Sequence, residues 1–140
     1  MVDIKELRIG NYLTLNSQLF KVKSLSLNGN FYSYETEKNL VCGCYCNPLL
    51  CYSEVECVAT KDLSPIPLTS ELLEKCGFVY ESVFDSYWSP DLHYLKETKE
   101  GFYLYDNENC CCRISKSIHF LHQLQNMYYC LTNQELNVKL

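Results

Sequence analysis

The sequence is poor in the residues that mark disordered or low-complexity chains. It has five glycines and four prolines among 140 residues, with no tract rich in glycine, serine or proline and no block of like charges. Apolar residues account for 47% and charged residues for 21% of the chain. This composition argues against disorder and predicts a single domain, with a β-rich part over about residues 1–63 and a second part over about residues 64–140.

Long apolar runs and clustered basic residues are also missing. No apolar run approaches the roughly 20 residues that cross a bilayer, and the start, "MVDIKELRIG", lacks the basic and apolar regions of a secretory signal. The 12 lysines and arginines are scattered among 17 acidic residues, giving a net charge of -5. We therefore expect a cytoplasmic protein without membrane or duplex nucleic acid partners, because neutralising phosphates needs clustered cations.

Motifs of known enzyme classes are absent as well. The chain has no HExxH, no glycine-rich phosphate loop, no serine nucleophile elbow and no kinase signature. His93, His119 and His122 could serve as bases, but no cysteine stands in a catalytic signature. The sequence therefore predicts a protein that is not an enzyme.

Cysteine, by contrast, is abundant. Without a secretory signal, the ten cysteines are interpreted as reduced thiols, metal ligands or small core residues. Five of them form an early cluster that could supply thiolates to tetrahedral zinc: Cys42, Cys44, Cys46, Cys51 and Cys57. Their spacing is CxC rather than the paired CxxC of zinc modules, so free thiols and a zinc site both stay open, and no other cofactor is expected.

Turn signals divide the first half of the chain into short β-prone runs. Gly10-Asn11 can bend the chain and Asn16-Ser17 can connect a hairpin. Asn28-Gly29 is the strongest two-residue hairpin signal, because both of its residues tolerate positive φ. A meander or small curled barrel is predicted over residues 7–34.

The second half alternates helical and strand-like patterns. In "PIPLTSELLEKCGF", Thr69 is a helix N-cap, Leu68 can staple against Leu73, and Gly77 ends the helix. Residues 78–114 are aromatic and predict three or four antiparallel strands. The fold class predicted is α+β, mainly antiparallel sheet or a small curled barrel, with a short central helix and a longer C-terminal helix.

The C-terminal helix is predicted from an apolar stripe with a polar back. Apolar residues recur at helical spacing at Ile118, Leu121, Leu124, Tyr128 and Leu131. Ser115 or Ser117 can cap its start, Asn133 can end it, and "ELNVKL" can add a last strand.

Polar residues near one another on the helix are recognition candidates: His119, His122, Gln125 and Asn126. The His-x-x-His pair could also bind a metal, but no carboxylate motif accompanies it.

Aromatic residues exceed what a small core readily uses, with twelve tyrosines, six phenylalanines and one tryptophan. The surplus predicts an interface or a surface that stacks flat ligands, although cross-strand packing would explain it equally well. The ring candidates are Tyr80, Tyr87, Trp88, Tyr94, Tyr103 and Tyr105. If the ligand is a nucleotide, Arg8, Arg113, Lys116 or a histidine would meet its phosphate.

Three segments resemble a known group: "ELRIGNYL" at 6–13, "SPIPLTSELLEKCGF" at 64–78 and "IHFLHQLQNMYYCLTNQEL" at 118–136. They look like short uncharacterised proteins of gut Bacteroides-type phages, prophages and mobile elements, whose pattern is RIGNY, PIPLT-helix-GF and LHQLQNLYFALTGEEL. The chain departs from it at Asn133, which replaces glycine, and at Cys130, which replaces alanine. The cysteine cluster also lies outside the pattern.

The resemblance implies a small, non-enzymatic accessory protein of a phage or mobile element, acting in the host cytoplasm. We expect it to bind and sequester a host protein or a small signal, of which a nucleotide signal of antiviral defence is one. Two alternatives stay open. One is an assembly protein forming a homo-oligomer through its aromatic surface, with Tyr128 or Tyr129 at the interface. The other is a module stabilised by zinc at the early cysteines.

Overall fold

The computed structural model describes residues 2–26, 40–45, 56–92, 94–106 and 112–139. Contacts divide the chain into two compact units, Met1–Ile66 and Pro67–Leu140. All strand pairs in the described residues are antiparallel, and both sheets there are open. The predicted α+β class is therefore confirmed in its mainly antiparallel form. No helix among the described residues has the length and apolar character needed to cross a membrane.

The first unit is a five-stranded sheet with two short 3₁₀ turns. The strands are β1 (Tyr12–Leu15), β2 (Gln18–Ser26), β3 (Leu40–Tyr45), β4 (Glu56–Ala59) and β5 (Leu63–Ser64), in the sheet order β4-β3-β2-β1-β5. The 3₁₀ turns are Ile4–Glu6 and Thr60–Asp62. Its core consists of buried aliphatic and aromatic side chains: Val2, Ile4, Leu7, Leu13, Leu15, Phe20, Val22 and Leu63.

The β1–β2 hairpin forms where the sequence predicts it. Asn16 and Ser17 have φ of 50° and 64°, the left-handed values that a two-residue hairpin turn requires. A register shift in β2 lies between Val22 and Ser24. This shift is a β-bulge, in which one extra residue changes the face to which the following side chains point. Leu25 therefore packs against the same core as Val22, three residues earlier. The predicted Asn28-Gly29 turn lies outside the described residues.

The "RIGN" segment is a turn held by its own backbone and by a buried asparagine. The Asn11 side-chain oxygen accepts from the Arg8 amide at 2.7 Å, and Asn11 is fully buried. Gly10 has φ of 94°, and its amide donates to the Val22 carbonyl at 2.9 Å. The bend predicted at Gly10-Asn11 is confirmed, and it connects the first 3₁₀ turn to the sheet.

The second unit combines two helices with a four-stranded sheet. The helices are α1 (Ser70–Lys75) and α2 (Leu121–Thr132), and the strands are β6 (Val79–Glu81), β7 (Ser86–Trp88), β8 (Tyr94–Thr98) and β9 (Gly101–Tyr105). The strands follow the order β6-β7-β8-β9 in the sheet.

Helix α1 has the predicted ends. The Thr69 hydroxyl accepts from the Leu72 amide at 3.2 Å. Gly77 has φ of 86°, and the Phe78 amide donates to the Leu73 carbonyl at 3.0 Å. Together with the bond from Gly77 to the Glu74 carbonyl, this is a Schellman motif, which satisfies carbonyls that the helix leaves open.

Beyond β9 the chain returns along the edge of the sheet as an irregular strand. Isolated bridges pair Tyr105 with Arg113 and Phe102 with Ile118. A further bridge pairs Phe120 with Pro67, and the Leu68 amide donates to the His119 carbonyl at 2.8 Å. The segment at Pro67 and Leu68 and the segment at His119 and Phe120 are thus hydrogen-bonded neighbours.

Helix α2 differs from its prediction at the start. The N-cap is Phe120 rather than Ser115 or Ser117. Instead of a serine cap, the Gln123 side-chain oxygen accepts from the His119 amide at 2.9 Å. The group that caps the helix is therefore a glutamine in its first turn, and the N-cap residue itself is not one of the usual capping residues. This is why the sequence does not predict where the helix starts.

The predicted end of α2 is confirmed, but two expectations about its surroundings are wrong. Asn133 has φ of 56° and ends the helix. The apolar stripe predicts Leu131 in the core, but Leu131 is 56% exposed, because the last turn of the helix extends past the buried residues, which end at Tyr128. Residues 134–139 form no strand; the Lys139 amide instead donates to the Lys75 carbonyl at 3.1 Å.

Candidate ligand-binding site

One face of the second sheet gathers aromatic and basic side chains. Trp88 lies opposite Tyr94, Tyr94 opposite Tyr105, and Tyr105 is bridged to Arg113. Residues opposite each other in antiparallel strands project to the same face, so these four form one row across the sheet. Lys96 and Tyr103 face each other in the adjacent row. This surface is called the Trp88 face: Trp88, Tyr94, Lys96, Tyr103, Tyr105 and Arg113.

The opposite face is core. Side chains alternate along a strand, and the alternate positions Leu95, Phe102 and Leu104 are nearly or fully buried. Tyr87 belongs to this side, is 7% exposed, and packs edge-on against Phe102 at 6.2 Å between ring centroids. The structure therefore separates Tyr87 from Trp88, although both are ligand candidates by sequence.

Two tyrosines hold Arg113 in a fixed position. Its guanidinium carbon lies 4.1 Å from the centroid of the Tyr103 ring, and its Nε donates to the Tyr105 hydroxyl at 3.1 Å. That hydrogen bond raises the pKa of Arg113. Tyr103 and Tyr105 are 8% and 6% exposed, whereas Arg113 is exposed. The guanidinium plane thus covers Tyr103 and presents its other side to solvent.

The rest of the Trp88 face offers rings and a second cation. Trp88, Tyr94 and Lys96 are all half-buried, so part of each side chain is accessible. Phe84 packs edge-on against Tyr94 at 6.0 Å and supports that ring from the β6–β7 turn. The face can therefore contact a flat ring and an anion at the same time.

A serine and a histidine border the face at the β8–β9 turn. Ser117 Oγ lies 3.0 Å from His119 Nε2. Both pack against Gly101, where an added Cβ would lie 2.7 Å from Ser117 Oγ and 2.9 Å from the His119 ring. The Ser117 hydroxyl donates its one proton to the Glu100 carbonyl, so Oγ is left to accept from Nε2–H. Ser117 and His119 are therefore joined in one hydrogen-bond chain that ends at the Glu100 carbonyl.

The remaining recognition candidates are not on this face. His122 and Gln125 are each 1% exposed within α2, and the His122 ring stacks parallel to Phe120 at 5.8 Å. Asn126 is half-buried on α2, and Arg8 stands in the turn of the first unit. His119 precedes the helix, so the expected helical neighbourhood of His119 and His122 is wrong.

The structure describes the early cysteines only in part. Cys46 and Cys51 lie outside the described residues, while the strand register places Cys42 opposite Cys57 in β3 and β4, with Cys44 also in β3. Over the described positions, no group of three or more His, Cys, Asp or Glu side chains could hold a metal ion. The zinc site stays a prediction.

Three other cysteines are free thiols: Cys76, Cys112 and Cys130. Burial raises the pKa of the Cys76 thiol to about 12, so this thiol is protonated and unreactive at neutral pH. Cys112 and Cys130 are exposed.

Lys96 lies on this surface and Glu100 borders it, and neither is among the residues predicted from the sequence. Lys96 is two residues from Tyr94 in a strand, a spacing that could have placed both on one face. Glu100 gives no such signal, because only the folded turn brings it to Tyr103.

No protein-family model matches the chain, and comparison with curated proteins and with solved structures also gave no match.

Proposed function

We propose that the protein is a non-enzymatic binding protein whose Trp88 face captures a flat, anionic small molecule, with a nucleotide signal as the best fit. The observation that carries this proposal is the fixed Arg113 guanidinium, stacked on Tyr103 and hydrogen-bonded to Tyr105 in the same row as Trp88. A cation held in place before binding loses little conformational freedom when a ligand arrives.

The chemistry of a nucleotide matches both halves of this surface. A base can stack on Trp88, on Tyr94 or on the free side of the guanidinium, since aromatic rings and arginine planes both accept bases. A phosphate can then accept hydrogen bonds from the Nη groups of Arg113, which donate none to the part of the chain that the structure describes. Lys96 supplies a second positive charge next to Tyr103.

The resemblance to phage and mobile-element proteins favours a host molecule as the captured species. A protein of this kind would act by stoichiometric sequestration and not by turnover.

Nucleotide titration tests this proposal directly. Trp88 is the only tryptophan in the chain, so its fluorescence reports on the proposed site alone. We expect cyclic and linear mononucleotides to quench it, with one ligand per chain by calorimetry. Arg113→Ala should weaken binding about tenfold or more, in the range of a lost charge-assisted hydrogen bond, while Lys61→Ala in the other unit should not. No heat and no quenching at high protein concentration would refute nucleotide capture.

A second candidate is an assembly protein, favoured by the exposed edge of the same sheet. Val79 and Tyr80 in the edge strand β6 are 57% and 46% exposed, and Val83 in the following turn is 84% exposed. Exposed apolar residues on a sheet edge are typical of association surfaces. Tyr128, predicted at such an interface, is instead 7% exposed and donates to Asp91 at 2.9 Å within the chain.

A further inference from the structure

The Glu100 carboxylate borders the Trp88 face, next to Tyr103. The Tyr103 hydroxyl donates to Glu100 Oε2 at 2.7 Å, and the ring of the same tyrosine lies under the Arg113 guanidinium at 4.1 Å. Tyr103 therefore holds an anion at its hydroxyl and a cation on its face. The negative charge of Glu100 also contributes to the raised pKa of Arg113, which agrees with their proximity.

Glu100 is held in this place by the β8–β9 turn and is not a freely moving surface acid. Its amide donates to Thr98 Oγ1 at 3.1 Å, and the same hydroxyl donates to the Gly101 carbonyl at 2.9 Å. Its carbonyl accepts from Ser117. Gly101 has φ of 110°, a conformation that a side chain would oppose, so the turn geometry depends on this glycine.

The charged side chains at this surface determine which phosphate groups it prefers. Lys96 and Arg113 contribute two positive charges and Glu100 one negative charge, which leaves a single net positive charge among these three side chains. A phosphodiester carries one negative charge and balances this surface. A phosphomonoester carries about -1.5 to -2 at neutral pH, and its extra charge would be repelled by Glu100.

We infer that Glu100 is a specificity-determining residue that makes the Trp88 face select nucleotides with a singly charged phosphodiester over phosphomonoesters. This inference rests on the proposed function and names the chemical class of its ligand. A carboxylate beside an arginine is costly for a site that must bind dianions, and it is tolerated when the ligand brings only one charge.

The test compares pairs of ligands that differ only in the phosphate. The probes are 3′,5′-cyclic AMP against 5′-AMP and 3′,5′-cyclic GMP against 5′-GMP, titrated at fixed pH and ionic strength. We expect the wild type to bind the cyclic member of a pair about fivefold more tightly or better. E100Q should reduce the ratio of cyclic to linear affinity about fivefold by improving the binding of the 5′-monophosphate. The reason is that the variant removes one negative charge near the phosphate, whose repulsion is partly screened by salt.

Glu97 provides the matched control. It is exposed and lies opposite Phe102, so it projects to the other face of the sheet, and E97Q removes the same charge at that face. E97Q should leave the ratio unchanged. E100Q keeps an acceptor for the Tyr103 hydroxyl, and unchanged thermal unfolding would confirm an intact site.

The outcomes separate the two proposals. If nucleotides bind but the cyclic-to-linear ratio is near one, or E100Q and E97Q change it equally, the inference about Glu100 is overturned and capture at the Trp88 face stands. If no nucleotide binds to the wild type or to E100Q, both proposals fall together.

Discussion

Arg113 shows how neighbouring side chains turn a flexible cation into a positioned one. Its long side chain would ordinarily sample many rotamers, but the Tyr103 ring and the Tyr105 hydroxyl fix the guanidinium at two points. Tyr103 and Tyr105, which are predicted to stack on a ligand, are nearly buried, so their contribution to binding is to orient Arg113.

Tyr105→Phe should therefore weaken ligand binding without removing any group that touches the ligand. The variant loses the acceptor for Arg113 Nε and keeps the ring, so we expect an affinity loss of about threefold to tenfold and a stability loss of about 1 kcal/mol. Calorimetry with the tightest nucleotide of the panel measures the first. Tyr80→Phe, which removes an exposed hydroxyl bonded to Asp85, is the control and should leave the affinity unchanged.

Cys76 should make the protein less stable in alkali. Its pKa is raised in the folded state from 9.0 to about 12, so its contribution to stability is complete below pH 9 and is lost as the pH rises towards 12. Cys76→Ala removes this contribution. Urea unfolding at pH 8 and pH 10.5 should show a smaller drop in stability for the variant than for the wild type; equal drops would contradict the assignment.

At the scale of elements, the sequence predicts those features whose cause is local. The Asn16-Ser17 turn, the Thr69 cap and the Asn133 helix end were all predictable, because each depends on the turn or capping tendency of residues in one short segment. The start of α2 was not, because it depends on Gln123 reaching back to His119. The bulge in β2 likewise depends on its neighbour β3.

The candidate site was predictable in composition but not in arrangement. Trp88, Tyr103, Tyr105, Arg113 and His119 are brought to one side of the sheet, as the register and the contacts at Gly101 show. Tyr87, by contrast, lies on the core side. Neighbouring side chains in β7 point to opposite faces, and Tyr87 is paired with the buried Leu95. Pairing between strands is a long-range property, and no single segment of sequence contains it.

Gly43→Ala and Gly77→Ala compare two ways in which an added methyl group lowers stability: steric overlap at Gly43 and a positive φ at Gly77. A Cβ at Gly43 would lie 2.4 Å from both the Phe20 ring and the Lys21 carbonyl, while at Gly77 it would meet nothing within 4 Å. We expect Gly43→Ala to cost about 3 kcal/mol through overpacking and Gly77→Ala about 1 kcal/mol through its positive φ alone. Urea unfolding of the two variants measures both, and equal costs would show that the sheet relaxes around Gly43.

At the scale of the whole molecule, the exposed β6 edge is the surface whose mutation tests whether the protein forms an oligomer. If the edge is an interface, Val83→Ser should dissociate the oligomer, because Val83 is the most exposed large apolar residue described. Native mass spectrometry reads the subunit number directly. Leu131→Ser is a matched control on α2, where Leu131 is 56% exposed. A monomeric wild type would remove the assembly function and leave ligand capture.

The hydrogen bond between Leu68 and His119 also has a consequence for synthesis. Helix α1 and the strands that follow it leave the ribosome before residues 118–120, so the segment around Pro67 and Leu68 has no partner until those residues emerge. The second unit therefore cannot complete its fold until residues 118–120 have left the ribosome. A ribosome stalled before residue 118 would hold a nascent chain in which the first unit can be native and the second cannot.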